Sequence, residues 1–141
     1  MSGLLAQERQ EIRVKRIPSR SNFKPRELNE VIEFRLPGKD GNLESVIRLF
    51  GLVALEIETH CEEQLEWSVD RTNFEGIRVF TGNDGGFFLL RKSLHDPVIC
   101  LQVEAPSKAA AKQLITGPLL QLFQAEPQTV QVLDLSTLEK Y

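Results

Sequence analysis

Cysteine and histidine are scarce in this sequence, at two residues each in 141, and methionine, tryptophan and tyrosine occur once each. Cys61 and Cys100 have no second cysteine near either of them, which excludes the CxxC spacing of a zinc or dithiol redox site. Both read as small buried hydrophobes on apolar faces. His60 and His95 are equally far from any metal-ligand spacing, so no metal is expected. No apolar run approaches the roughly 18 residues of a membrane-spanning helix. With staples and membrane excluded, a hydrophobic core must hold the fold. The means are there: 41% hydrophobic and 26% charged residues are ordinary globular usage. A chain of this length makes one domain and buries about two thirds of its unfolded surface. A soluble, cytoplasmic protein is the expectation.

Charge of one sign is missing from neither end, but it is unevenly spread. Residues 1–26 hold seven basic groups (Arg9, Arg13, Lys15, Arg16, Arg20, Lys24, Arg26) against Glu8 and Glu11, a net +5. The remainder holds ten basic and eighteen acidic groups, a net −8. A basic arm on an acidic body fits nucleic acid, anionic lipid or an acidic neighbouring domain. With Phe23 as its one aromatic residue the arm lacks stacking platforms, and nucleic acid is not an expected partner. Met1-Ser-Gly-Leu-Leu-Ala6 is too short for the apolar core of a signal peptide, and Glu8 and Glu11 argue against a transit peptide. Residues 1–29 therefore read as a basic arm or interdomain linker, with Pro18 and Pro25 opposing regular structure.

Hydrophobic spacing organises the rest. Val31–Leu36 alternates as a strand and stops at Pro37-Gly38. Leu43, Val46, Ile47, Phe50, Val53, Ala54, Ile57, Cys61 and Leu65 then fall at steps of three and four, the mark of an amphipathic helix. Asn42 is placed to cap it, and Glu44 precedes Arg48 at the favourable i,i+4 spacing. Gly51 is the awkward residue: a helix ending there would leave Val53, Leu55 and Ile57 as a strand, but the long helix is the better reading. Strands follow at 77–80 and 87–90, joined by the turn-forming Gly82-Asn-Asp-Gly-Gly86. Residues 91–97 read as a polar loop and 98–103 as a β-branched strand. Pro106-Ser107 open a helix that Gly117-Pro118 must kink or restart. Residues 125–141 add a strand at Val130–Leu133 or lie over the surface. Trp67, Phe87 and Phe88 read as core or interface. The fold class is α+β: a mostly antiparallel sheet of about four strands with two helices on one face.

Arg91-Lys-Ser-Leu-His-Asp-Pro97 gathers hydrogen-bond donors in one short connection. Arg91 offers a planar fork for phosphate, Ser93 a hydroxyl, and a tight loop can aim successive N–H groups at one anion. Lys92 and His95 add charge or donors. An ordinary polar hairpin is the alternative from residue types alone.

Glu75-Gly-Ile-Arg-Val79, Gly86-Phe-Phe-Leu-Leu-Arg91, Ser93, Pro97 and Val103-Glu-Ala105 together resemble the C-terminal domain of the α-D-phosphohexomutases. Members read Asp-Gly-Val-Arg/Lys-Val, a hairpin, a loop resembling Arg-Pro-Ser-Gly/Asn-Thr-Glu-Pro, then a strand ending in Glu-Ala and a helix. The resemblance covers residues 30–124, with 51–75 longer than usual, and leaves 125–141 as an extension. It implies that Arg91 and Ser93 bind phosphate. Leu94 stands at the family's Gly/Asn position, His95 at its threonine, Lys92 at its proline and Asp96 at its glutamate. The family's frequent arginine on the next strand is absent, since Cys100, Leu101 and Gln102 stand there. The phosphoserine, the Asp-x-Asp-x-Asp magnesium loop and the sugar-ring loop belong to the family's earlier domains. The resemblance thus implies a hexose phosphate and those upstream domains as partners, no cofactor on this domain, and no catalysis by this chain alone. Loss of the ligand, leaving an interaction or regulatory module, is the alternative that Leu94, His95 and Gln102 raise.

Overall fold

A computed structural model describes residues 30–64, 66–73, 75–82 and 86–141. The basic arm, Leu65 of the helical stripe and the centre of the 82–86 turn lie outside the described residues. The chain runs β1 (Glu30–Pro37), α1 (Leu43–Glu63), β2 (Ser68–Val69), β3 (Ile77–Phe80), β4 (Phe87–Lys92) and β5 (Val98–Ala105). A composite helix follows: α2 (Lys108–Ala111), a π-helical turn (Lys112–Thr116) and α3 (Gly117–Ala125), with α4 (Pro127–Val132) and α5 (Ser136–Lys140) behind it. The five strands form one antiparallel sheet in the order β1-β5-β4-β3-β2. This is the expected α+β class, with the two-residue β2 and the two short last helices added. Among the described residues no helix is long and apolar enough to cross a membrane.

Alternation along the strands sorts side chains to two faces. Phe34 and Leu36, Ile77 and Val79, Phe88 and Leu90, and Ile99, Leu101 and Val103 join one buried cluster with residues of every helix except α4. The intervening residues, among them Glu33, Arg35, Arg78, Phe80, Phe87 and Arg91, make the opposite face. Leu89, Val98 and Cys100 are buried there too, outside the main cluster.

Asn42 caps α1 as its position suggests, its side chain accepting from Ser45 N at 3.1 Å. Gly51 does not end the helix. It faces solvent with open space around it, so it costs about 1 kcal/mol in propensity, which the burial of Val46, Leu49, Val53 and Ile57 outweighs. The buried stripe is centred one step away from the expected one: Leu49 is in the core, and Ile47 is 40% exposed. Only residues within a narrow arc around Val53 reach the sheet, and Ile47 falls on its flank.

Ser107 caps α2, accepting from Ala110 N at 3.1 Å. At Gly117-Pro118 the helical residues run on without a gap, and a new α-helical stretch starts at Gly117. The turn before it widens, and Gly117 N–H donates to Lys112 O, five residues back. Pro118 then falls in the first turn of α3, where a missing N–H is tolerated. A Cβ on Gly117 would sit 2.7 Å from Lys112 O, so glycine permits the wide turn.

Residues 125–141 correct the sequence reading most. Val130–Val132 are helical rather than extended, because Glu126 caps α4 through Gln128 N and Pro127 sits at its first position. Only Leu133 keeps a β-bridge, to Gly38. The segment lies in the core: Leu133, Leu135 and Leu138 are buried, and Tyr141 packs edge-on to Phe34 and donates to Glu30 Oε2 at 2.6 Å. Asp134 N bonds Pro37 O at 2.8 Å and Thr137 Oγ1 bonds Arg35 O at 3.2 Å, covering the C-terminal half of the β1 edge.

Where α4 meets α1, Glu56 faces Glu126. Burial, then the hydrogen bond and charge of Glu126, push the Glu56 carboxyl up to about 7. No other charged residue lies between Lys112 and Asp134, so α3 and α4 bring no cation to the pair. The folded state therefore holds a proton that the unfolded chain releases near 4.5. Stability from this pair is full below that pH and is lost as pH rises through about 7. Denaturant midpoints measured across this window should fall with rising pH, and Glu56→Gln should flatten the fall. A second expectation concerns Gly76, where a Cβ would strike Leu90 O and lie 2.9 Å from Arg91 Cβ. Gly76→Ala should destabilise the fold by about 1–3 kcal/mol in urea unfolding.

Candidate functional site

Five residues carried the expectation of a phosphate site: Arg91, Lys92, Ser93, Leu94 and His95. The structure separates them. β4 continues through Lys92, so the loop is 93–97 rather than 91–97. Being consecutive in a strand, Arg91 and Lys92 project to opposite faces. Arg91 lies on the face away from the helices, level with Cys100 and Arg35 across the sheet. Lys92 lies on the helix side, its Nζ 5.2 Å from the ring centroid of Phe50 on α1. Lys92 is thus part of the α1 contact rather than of a cluster with Arg91.

Ser93 organises the loop. Its N–H donates to Val98 O at 3.0 Å, and its Oγ accepts from His95 N at 3.4 Å and Asp96 N at 3.2 Å. Val98 N returns to Asp96 O at 2.8 Å, and Pro97 O accepts from Gly38 N at 2.8 Å, tying the loop to the end of β1. Two backbone N–H groups therefore converge on one oxygen position. Leu94, 80% exposed, and the exposed His95 ring stand outside this convergence.

Arg91 is engaged elsewhere. Its Nη2 lies 3.3 Å from Glu33 Oε2, and the two side chains are 40% and 50% exposed. Glu33 is in register with Gln102 and Leu89, two pairs further from the loop than Arg91 and on the same face. The ion pair thus draws the guanidinium back along the sheet, away from Ser93. A half-exposed pair of this kind is worth only about 0–1 kcal/mol, so it is easily exchanged for a stronger anion.

Beyond Arg91 the same face carries Arg78, whose guanidinium lies 4.3 Å from the Phe87 ring centroid and 5.4 Å from that of Phe80. Its Nη1 is 3.9 Å from Asp70 Oδ2. Cys100 is buried between the strands that carry Arg35 and Arg91, and Cys61 is half-buried, its thiol pushed up to about 11 by burial and then by Glu58. The raised Cys61 thiol is not poised as a thiolate nucleophile, and Cys100 is closed off from solvent. Among the described residues no three His, Cys, Asp or Glu side chains gather as a metal-holding group.

A cleft of about 500 Å³ opens at the other end of the sheet. His60 and Gln64 reach it from the end of α1, Thr81 and Gly82 from the end of β3, and Gln113, Pro118 and Gln121 from the π-turn and α3. Sequence spacing gives no sign of it, because its residues come from four segments.

No known family model matches this chain, and no curated protein matches it. The site therefore rests on its geometry and on the resemblance of its motifs. Arg91 and Ser93 stay adjacent in the chain, with the loop N–H groups gathered at Ser93. Glu33 is the residue that sequence reasoning missed, since only strand register brings it to Arg91. Removing its charge releases the arginine at little expense to the fold: Glu33→Gln should shift urea-unfolding stability by less than about 1 kcal/mol.

Proposed function

We propose that this domain binds the phosphate of a hexose phosphate, as the C-terminal lid of a phosphohexomutase whose earlier domains carry magnesium and the phosphoryl-transfer chemistry. The observation that carries the reading is the convergence of His95 N–H and Asp96 N–H on the Ser93 Oγ position, immediately after the strand that presents Arg91. Such paired N–H groups hold a phosphate oxygen as readily as a hydroxyl. On binding, Ser93 turns its hydroxyl to donate, the two N–H groups take a phosphate oxygen, and Arg91 leaves Glu33 to add its fork. The domain's part in catalysis is positional: holding the phosphate remote from the reacting one fixes the sugar for transfer.

A second reading has its own observation. Glu33 already holds Arg91, which is what a mutase-like domain that has lost its ligand and serves as an interaction module would show. Titration of the labelled chain with glucose 6-phosphate, followed by NMR with glucose as the control, separates the two. The lid reading expects shifts at 93–97 that glucose does not cause. Arg91→Ala should weaken binding by about 10- to 100-fold, the 1.5–3 kcal/mol of a charged hydrogen bond. Glu33→Gln should strengthen it. Silence of wild type and Glu33→Gln alike at millimolar ligand favours the interaction module.

A further inference from the structure

The cleft at the far end of the sheet is built from groups that the phosphate reading does not use. Three glutamine amides line it, Gln64, Gln113 and Gln121, each both donor and acceptor. Thr81 also lines it; this residue is buried, and its Oγ1 has no hydrogen-bond partner within the protein. A buried hydroxyl left unmatched is unfavourable, and a small rotation of the Thr81 side chain toward the cleft gives it a partner there. Pro118 and Gln113 bring the π-helical turn and the start of α3 to the same wall. Such wide turns occur often at functional sites.

The lining also selects against charge and flatness. Among the described residues Glu66 is its one carboxylate and no lysine or arginine lines it, a setting that disfavours a phosphate. Trp67, at the base, is 7% exposed and already meets His60 at 4.9 Å and Phe88 at 5.1 Å between ring centroids. Little of its ring is left for a planar ligand to stack on. Hydroxyl groups, which donate and accept at once, are the chemistry that three amides, an imidazole and a threonine hydroxyl match together. The volume of about 500 Å³ is within the range of small-molecule sites.

We propose that this cleft binds a small neutral polyol of monosaccharide size through Gln64, Gln113, Gln121 and the π-turn. It does not rest on the phosphate reading: the six residues of β4 separate the cleft from the 93–97 loop, roughly 17–20 Å at strand rise. One molecule of this size cannot occupy both.

Trp67 is the chain's single tryptophan and lines this cleft, so its fluorescence reads ligand binding there. The whole chain is titrated with glucose and with myo-inositol, and glucose 6-phosphate serves as the charged comparison. The proposal expects a saturable change in emission with a neutral polyol. Arg91→Ala should leave it intact. Gln121→Ala, on an exposed position of α3, should weaken it about tenfold while thermal unfolding is unchanged. Shifts of the glutamine side-chain NH₂ resonances in NMR provide a second readout. Absence of both signals at the solubility limit of the polyols overturns the proposal. So does a response to glucose 6-phosphate alone, or one abolished by Arg91→Ala and untouched by Gln121→Ala.

Discussion

The pairing of β1 with β5 is the constraint on which the rest of this structure depends. Eight residues of the first strand, Glu30 to Pro37, pair with Ala105 back to Val98, across all the chain between them. Without it β5 would be an edge, α1 would have no sheet wide enough to cover, and Glu33 would be nowhere near Arg91. The register also decides which side chains meet. Because strands alternate, a slip of one residue would turn Glu33 and Arg35 into the core and expose Phe34 and Leu36. The burial of those two residues, at 5% and 0% exposure, specifies the register far more strongly than the Glu33–Arg91 ion pair does.

The elements that were legible in the sequence are those whose cause is local. Asn42 and Ser107 announce their helices because a cap needs one side chain and an N–H three residues on. The strands at 77–80 and 87–90 show in their branched and aromatic residues, the second running on to Lys92 in the structure. What stayed hidden needed a partner from elsewhere. β2 is two residues long and exists through its pairing with β3. Leu49 rather than Ile47 is buried because of where the sheet lies, which periodicity does not record. Val130–Leu133 has strand-like composition, and the cap and proline before it decided for helix. In the candidate site, Arg91 and Ser93 were readable from type and spacing. The split between Arg91 and Lys92 was not, because placing both in a loop hid the alternation that a continued strand imposes.

The two ends of the sheet are chemically unlike. At the 93–97 end two backbone N–H groups gather on Ser93 Oγ, just after the strand that presents Arg91. At the cleft three glutamine amides stand with His60, Glu66 and Thr81 among the described lining residues. β4 and β5 run between the two, so the sheet keeps these sets of groups apart by the length of its own strands.

The clasp of residues 133–141 over the β1 edge has a consequence for biogenesis. As the chain leaves the ribosome, β1 emerges about a hundred residues before the groups that cover its outer edge at Arg35 and Pro37. Until then the newly made domain offers unpaired backbone groups along a strand with an exposed valine, Val31, at its open end. Such an edge is a template for pairing with another chain. Residues 133–141 thus act as a shield fitted after the strands themselves have been made, and a chain cut just before residue 133 keeps every strand of the sheet in its most aggregation-prone form.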